Sequence, residues 1–263
     1  MMRSRNSVRL AALIVGVLFA SSAHAQWGTV KGQVVWAGGA VPKNPAANVA
    51  KEKACLAKGC DVREDKFVVN PKNKGVRWVL VWLADPKDAT NAKFAPPIHP
   101  KLKNPPKTVE IDQPCCTFGP RVIGMEAKQD LIVKNSMTIP HNFNIQSIGD
   151  GPTANPLIPP GGQATIKKFV PKLYPTPYSC SIHGWMKGYV GTFAHPYFAV
   201  TDADGNFEIK NAPTGKFQLV LWQEEIGFLT MTNKQLRGNV IEIKADKTTD
   251  AGTTKMMPPP KDD

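Results

Sequence analysis

Short apolar runs, each four to eight residues long and separated by Pro and Gly, set the pattern of this chain. Thr29 to Trp36 (TVKGQVVW) is rich in β-formers and stops at Gly38-Gly39. Val76 to Leu83 (VRWVLVWL) is almost continuously apolar between Gly75 and Pro86, the pattern of a buried strand. Further strands are predicted over Lys66 to Val69, Gln129 to Val133, His141 to Gln146, Gln163 to Phe169, Tyr189 to Phe193, Tyr197 to Thr201, Asn206 to Lys210 and Lys216 to Trp222. Asn239 to Lys244 reads as the last one. Residues 46–58 (AANVAKEKACLAK) are the one fair helix candidate, with a further helical turn ending near Leu236. The pattern predicts an all-β chain of sandwich type. Asp85 to Lys107, rich in Pro, Lys and Ala, reads as a linker, and residues 246–263 (DKTTDAGTTKMMPPPKDD) as a disordered tail.

Residues 1–25 carry a different signal. Arg3, Arg5 and Arg9 precede the apolar run Leu10 to Ala20, and Ala23-His24-Ala25 is a cleavage sequence. The run is shorter than the roughly 20 apolar residues of a membrane span. The expectation is a cleaved signal peptide and a periplasmic or secreted protein with no membrane span. The net charge of +12 is spread over scattered lysines. It favours an acidic partner through long-range steering, while the absence of a basic helix or an aromatic-interleaved basic motif argues against nucleic acid.

Five cysteines, Cys55, Cys60, Cys115, Cys116 and Cys180, leave at least one outside intramolecular pairing. Adjacent cysteines rarely bridge each other. Cys116 with either Cys55 or Cys60 is therefore the favoured pair, and two disulfides are possible among these four. Connectivity stays open, as does a competing zinc site, although the spacing lacks the usual C-x2-C knuckle.

The remaining cysteine lies in Tyr178 to Val190 (YSCSIHGWMKGYV), where Cys180, His183 and Met186 form C-x2-H-x2-M. Thiolate, imidazole and thioether together suit copper, and a type 1 site needs two His and one Cys with a weak axial Met. His141, in NSMTIPHNFNI, is the natural second imidazole. Trp185 would cover the site or touch a redox partner. His99 and His195 are too few to build a catalytic copper besides, and no hydrolase, zinc-protease or phosphate-loop motif is present. Met256-Met257 is a weak soft-metal candidate in the tail.

Both ligand segments resemble those of the cupredoxin family. The C-x2-H-x2-M spacing followed by Lys187-Gly188 is most similar to amicyanin-type members, and plastocyanins have a longer His-to-Met gap. Pro140-His141-Asn142, with Asn135 six residues before the His, extends the resemblance over about residues 104–196. It implies a Greek-key sandwich, one type 1 copper ion held by His141, Cys180, His183 and Met186, and a supporting role for Asn135 in pinning the ligand loop near the cysteine. The flanks, Gly28 to Trp36, Val76 to Leu83 and Ala199 to Trp222, resemble carboxypeptidase regulatory-like, transthyretin-type sandwiches. The expected organisation is a copper module at 104–196 inserted into a second sandwich made from 27–90 and 197–245. One enlarged cupredoxin sandwich is the alternative. The function implied is electron transfer without substrate turnover, against copper storage or delivery, or a structural adaptor with a non-redox copper loop.

Overall fold

The computed structural model describes residues 27–50, 52–56, 59–229, 231–232, 235–236 and 238–258. The expected signal peptide lies outside them. The described chain is all-β, with no α-helix and only three short 3-10 turns.

One sandwich encloses the candidate ligands. Its first sheet has the order β10 (Gln163–Ile166), β5 (Asp130–Lys134), β3 (Thr108–Ile111). The second runs β4 (Val122–Glu126), β12 (Lys187–Phe193), β11 (Thr176–Ser179), β7 (Asn144–Gln146), β8 (Thr153–Ala154). Ile111, Leu131, Val133 and Ile166 of the first pack against Ile123, Met125, Ile145, Tyr178 and Val190 of the second. A two-stranded pair, β6 (His141–Asn142) with β9 (Leu157–Ile158), closes one end.

The flanking segments build a second layered pair. One sheet is β14 (Asn206–Pro213), β1 (Trp27–Trp36), β20 (Thr248–Met256). The other is β13 (Phe198–Val200), β2 (Leu80–Ala84), β15 (Gly215–Gln223), β16 (Gly227–Phe228), with β19 (Asn239–Ile243) also on β15. Val30, Val34 and Ile209 meet Val81, Leu83, Leu219 and Leu221 in their core. The opposite face of β2 and β15, through Leu80, Trp82, Val220 and Trp222, packs on Val122 and Phe193 of the ligand-bearing sandwich. Every residue of β2 is therefore buried, which accounts for its unbroken apolar run. Gly205 (φ +77°) turns β13 into β14, where a Cβ would stand 2.2 Å from the Val34 carbonyl.

Several sequence expectations change. Residues 248–256, read as a disordered tail, form β20 beside β1, in parallel from Thr29↔Thr248 to Trp36↔Met256. Their alternating exposure is that of an edge strand, and Met256 is a buried core residue, which removes it as a metal-capture site. The helix expected over 46–58 reduces to a single 3-10 turn at Lys53–Leu56, because Ala47 pairs with Val62 and Cys55 is held by a disulfide. Within the span assigned to the flanking sandwich, Ala47, Val49, Cys55 and Val62 instead join the core of the ligand-bearing one. The turn ending at Leu236 is a hairpin, β17 (Met231–Thr232) with β18 (Gln235–Leu236). Lys66 to Val69 makes one isolated bridge, Val69↔Val76, rather than a strand. The Asp85–Lys107 stretch is packed down by Phe94 and Leu102 and by Tyr197, whose hydroxyl donates to Pro97 O at 2.8 Å and accepts from His99 N–H at 2.9 Å.

Candidate metal centre

His141 opens β6, and Cys180 directly follows β11. The loop after Cys180 folds back on itself. Met186 N–H donates to His183 O at 2.9 Å, and Cys180 N–H donates to Met186 O at 3.0 Å. This closure brings both ends of the C-x2-H-x2-M segment to the base of the sandwich. Ligand atoms of His141, Cys180 and His183 lie within 4.8 Å of one another, and all three residues are buried. The Nδ1 atoms of the two histidines approach to 2.9 Å, and His183 Nδ1 is 3.9 Å from Cys180 Sγ. Met186 is fully buried in the same core as Cys180.

The electrostatics favour neutral imidazoles. Burial lowers the His141 pKa to about 4, with His183 adding repulsion. Burial also lowers that of His183, against the opposing pull of Glu52. His141 Nε2 is buried without a hydrogen-bond partner. Two neutral rings turned Nδ1 to Nδ1 beside a thiol are a donor set suited to a soft or borderline cation, so these residues fit copper.

Asn135 is buried and binds its own loop. It donates to Ile139 O and Ile158 O, both at 2.9 Å, and accepts from Met137 N–H at 3.0 Å. It pins the turn leading into His141, as expected of it, and its bonds go to Ile139, Ile158 and Met137 rather than to the cysteine. The contact to the cysteine comes from Asn142, which the sequence analysis names only as part of Pro140-His141-Asn142. Its Oδ1 accepts from Cys180 Sγ at 3.1 Å and from Ser181 N–H at 2.7 Å, and its amide donates to Asn155 and Ser181. An Asn directly after the histidine ligand was the available signal. Such partners fix ligand orientation and tune the site.

The four other cysteines form Cys55–Cys116 and Cys60–Cys115, leaving Cys180 as the one free cysteine. This resolves the pairing and removes the zinc alternative. Trp185 lies over His183 with ring centroids 5.1 Å apart, and its Nε1 donates to Cys116 O at 3.0 Å. His99 stands apart, its Nδ1 accepting from Lys101 N–H. His195 also lies outside the cluster, buried among Phe94, Phe193 and Tyr197 with its Nδ1 accepting from Tyr197 N–H at 3.1 Å.

His195 gives a pH prediction. Burial lowers its pKa to about 4 from an ordinary value near 6.5. The unfolded chain therefore takes up a proton first as pH falls. The stability that His195 confers is complete above pH ~6.5 and is lost by roughly 3 kcal/mol on going down to pH 4. Urea titrations at both pH values will show this loss, and His195→Gln will shrink it. An equal acid slope in the variant would assign the loss to other groups.

No family model matches the chain, and no curated protein matches it. Among solved structures it is similar to a purple cupredoxin from Nitrosopumilus maritimus, at 19% identity and TM-score 0.27 over 32% of this chain and 97% of that one. It is also similar to a methionine-to-alanine mutant of amicyanin in its Cu(I) form, at 14% identity and TM-score 0.29 over 34% of this chain and 86% of that one. A copper-containing nitrite reductase from Thermus scotoductus aligns at 18% identity and TM-score 0.31, over 40% of this chain and 26% of that one. Each of these alignments takes in well under half of the chain.

Proposed function

We propose that this chain is an exported type 1 copper protein that transfers electrons, with His141, Cys180 and His183 as the principal ligands and Met186 as the weak axial one. The observation that carries this reading is the convergence of two buried imidazole Nδ1 atoms and the one free thiol inside a β-sandwich. Copper in such a set supplies one-electron chemistry between its two oxidation states. The residues do the rest. Desolvated His141 and His183 keep their lone pairs free of protons near neutral pH. Asn142 holds the Cys180 sulfur and the backbone after it in one position. The sandwich core excludes water from Met186 and Cys180. Asn135 keeps the His141 turn from relaxing. A fixed donor set limits reorganisation between oxidation states, the property that suits electron transfer over turnover. The two disulfides fit an oxidising compartment, and the net charge, +12 for the full sequence and +9 without the signal-peptide arginines Arg3, Arg5 and Arg9, favours an acidic redox partner. We further propose that residues 104–196 with the 46–63 segment, and the flanking strands, are two separate domains.

The test is the visible spectrum of the copper-loaded protein. An intense thiolate-to-copper charge-transfer band is expected in the wild type and none in Cys180→Ser. A band that survives Cys180→Ser, or one-to-one copper binding with no such band, sinks the type 1 assignment.

A further inference from the structure

His183 is only 2% exposed, although Ser181, Ile182 and Gly184 around it are all exposed. A loop histidine flanked by solvent-exposed residues needs cover from elsewhere. The described residues of 46–63 supply it. Their rim is the antiparallel bridge Ala46↔Arg63, with Ala47 N–H donating to Val62 O at 2.9 Å. Ala47, Val49, Cys55 and Val62 reach the core that holds Cys180 and Met186. Glu52 Oε2 then sits 3.9 Å from His183 Nε2, the ring nitrogen that faces away from the donor cluster.

The fastening of this segment is unusual. Among the described residues, its backbone hydrogen bonds run only within it, Glu64 N–H donates to Pro45 O just outside it, and none reaches the strands of the sandwich. What ties it down is apolar contact and the two disulfides, Cys55–Cys116 and Cys60–Cys115. Cys115 and Cys116 both have left-handed backbones, φ 49° and 51°, a conformation that residues with a Cβ disfavour and that the paired crosslinks hold in place. Cys116 also accepts the Trp185 indole N–H, and Trp185 packs on His183, so the same knot touches the ligand loop from a second side.

We propose that the 46–63 segment is a redox-latched cover on the metal centre, a regulation of the site that rests on the copper reading above. A thioredoxin-type dithiol is the reductant. For each disulfide it gives up two electrons and two protons and is itself oxidised to a disulfide, while the S–S bond breaks to two thiols. With both bonds reduced, apolar contact and Glu52 are what hold the described residues of the segment. It lifts, uncovering His183 and opening a path for metal to enter or leave. Because the two bonds are nested, either one alone keeps the latch shut.

The test uses the full-length metal-free protein. Cys180 is buried, so its alkylation by iodoacetamide, read by peptide mass mapping, reports opening. Reduction of both disulfides with dithiothreitol is expected to raise the Cys180 rate about tenfold or more. Cys55→Ser/Cys116→Ser and Cys60→Ser/Cys115→Ser, each with one bond intact, should stay near the oxidised rate. Hydrogen exchange in β1 and β15 should remain slow throughout. An unchanged Cys180 rate after full reduction overturns the proposal, as does a rise matched by loss of protection in β1 and β15, which would be global unfolding. A second measurement needs no reduction. Glu52→Ala in the oxidised protein should raise modification of His183 by diethylpyrocarbonate several-fold, whereas Glu52→Gln should not, and equal rates in all three count against the cover. In copper-loaded protein, reduction should likewise speed removal of Cu(I) by a chelator. Failure to load copper would sink the copper assignment, while the thiol result would still decide whether a cover exists.

Discussion

Removing both disulfides, by Cys55→Ser/Cys116→Ser together with Cys60→Ser/Cys115→Ser, will cost about 6 kcal/mol of stability, whereas removing either alone will cost about 2 kcal/mol. The asymmetry follows from nesting. The crosslinks span 61 and 55 residues, and their ends are neighbours. Whichever bond forms first closes the long loop, removing about 4 kcal/mol of unfolded-chain entropy. The other then closes only a small ring of the intervening residues, worth about 2 kcal/mol. Losing one bond leaves the long loop closed by its neighbour, and only the double loss releases it. Urea denaturation of the wild type, the two single-bridge proteins and the bridge-free protein completes the cycle. Additive losses would mean that the native state, rather than the unfolded chain, carries the effect.

Glu224→Gln is expected to cost about 3–5 kcal/mol. Arg121 Nε and its terminal nitrogen donate to the two Glu224 oxygens at 2.6 and 2.9 Å, with the side chains only 6% and 4% exposed. The pair bridges the start of β4 and the end of β15, joining the two layered halves at the rim of their shared apolar contact. Burial raises the Glu224 pKa while Arg121 pulls it down. The attraction thus offsets a real desolvation cost, and removing one partner strands the other charge. Replacing both at once, as Arg121→Met/Glu224→Leu, should recover most of the loss. A Glu224→Gln protein within about 1 kcal/mol of the wild type would show that water already reaches the pair. Tyr178 adds a link to the candidate metal centre: its hydroxyl donates to Arg121 O at 2.9 Å, and it lies two residues before Cys180.

The convergence of His141, Cys180 and His183 was legible because the candidate metal chemistry demands particular donors. Once Cys180, His183 and Met186 stood in one short loop, a second imidazole was required, and few histidines were available. Asn142 was harder to assign than Asn135 because both flank the same turn, and which amide meets the sulfur depends on how β6 is angled. Glu52 could not be found from the sequence. Its position against His183 follows from a disulfide connectivity that spacing does not encode. In the fold, β2 was visible as an apolar run because it is buried on both faces. β20 was missed for the opposite reason. It is an edge strand whose outer positions are Thr, Asp and Lys, so its composition resembled that of a solvated tail. The threonine pairs Thr248-Thr249 and Thr253-Thr254, of a β-branched type, were the remaining signal.

The pairing of β1 with β20 also sets an order of assembly. The first described strand, β1, is completed only by β20, far along the chain, with Thr29 opposite Thr248. While the ribosome is still working, that sheet lacks one edge until residues 248–256 have been made. The strands of the ligand-bearing sandwich pair over much shorter separations, as β5 with β3 and β12 with β11 do. Low-contact-order pairings close fastest. The ligand-bearing sandwich is therefore expected to condense first, and a truncation just before Thr248 should leave it folded while the β14–β1 sheet lacks its β20 edge.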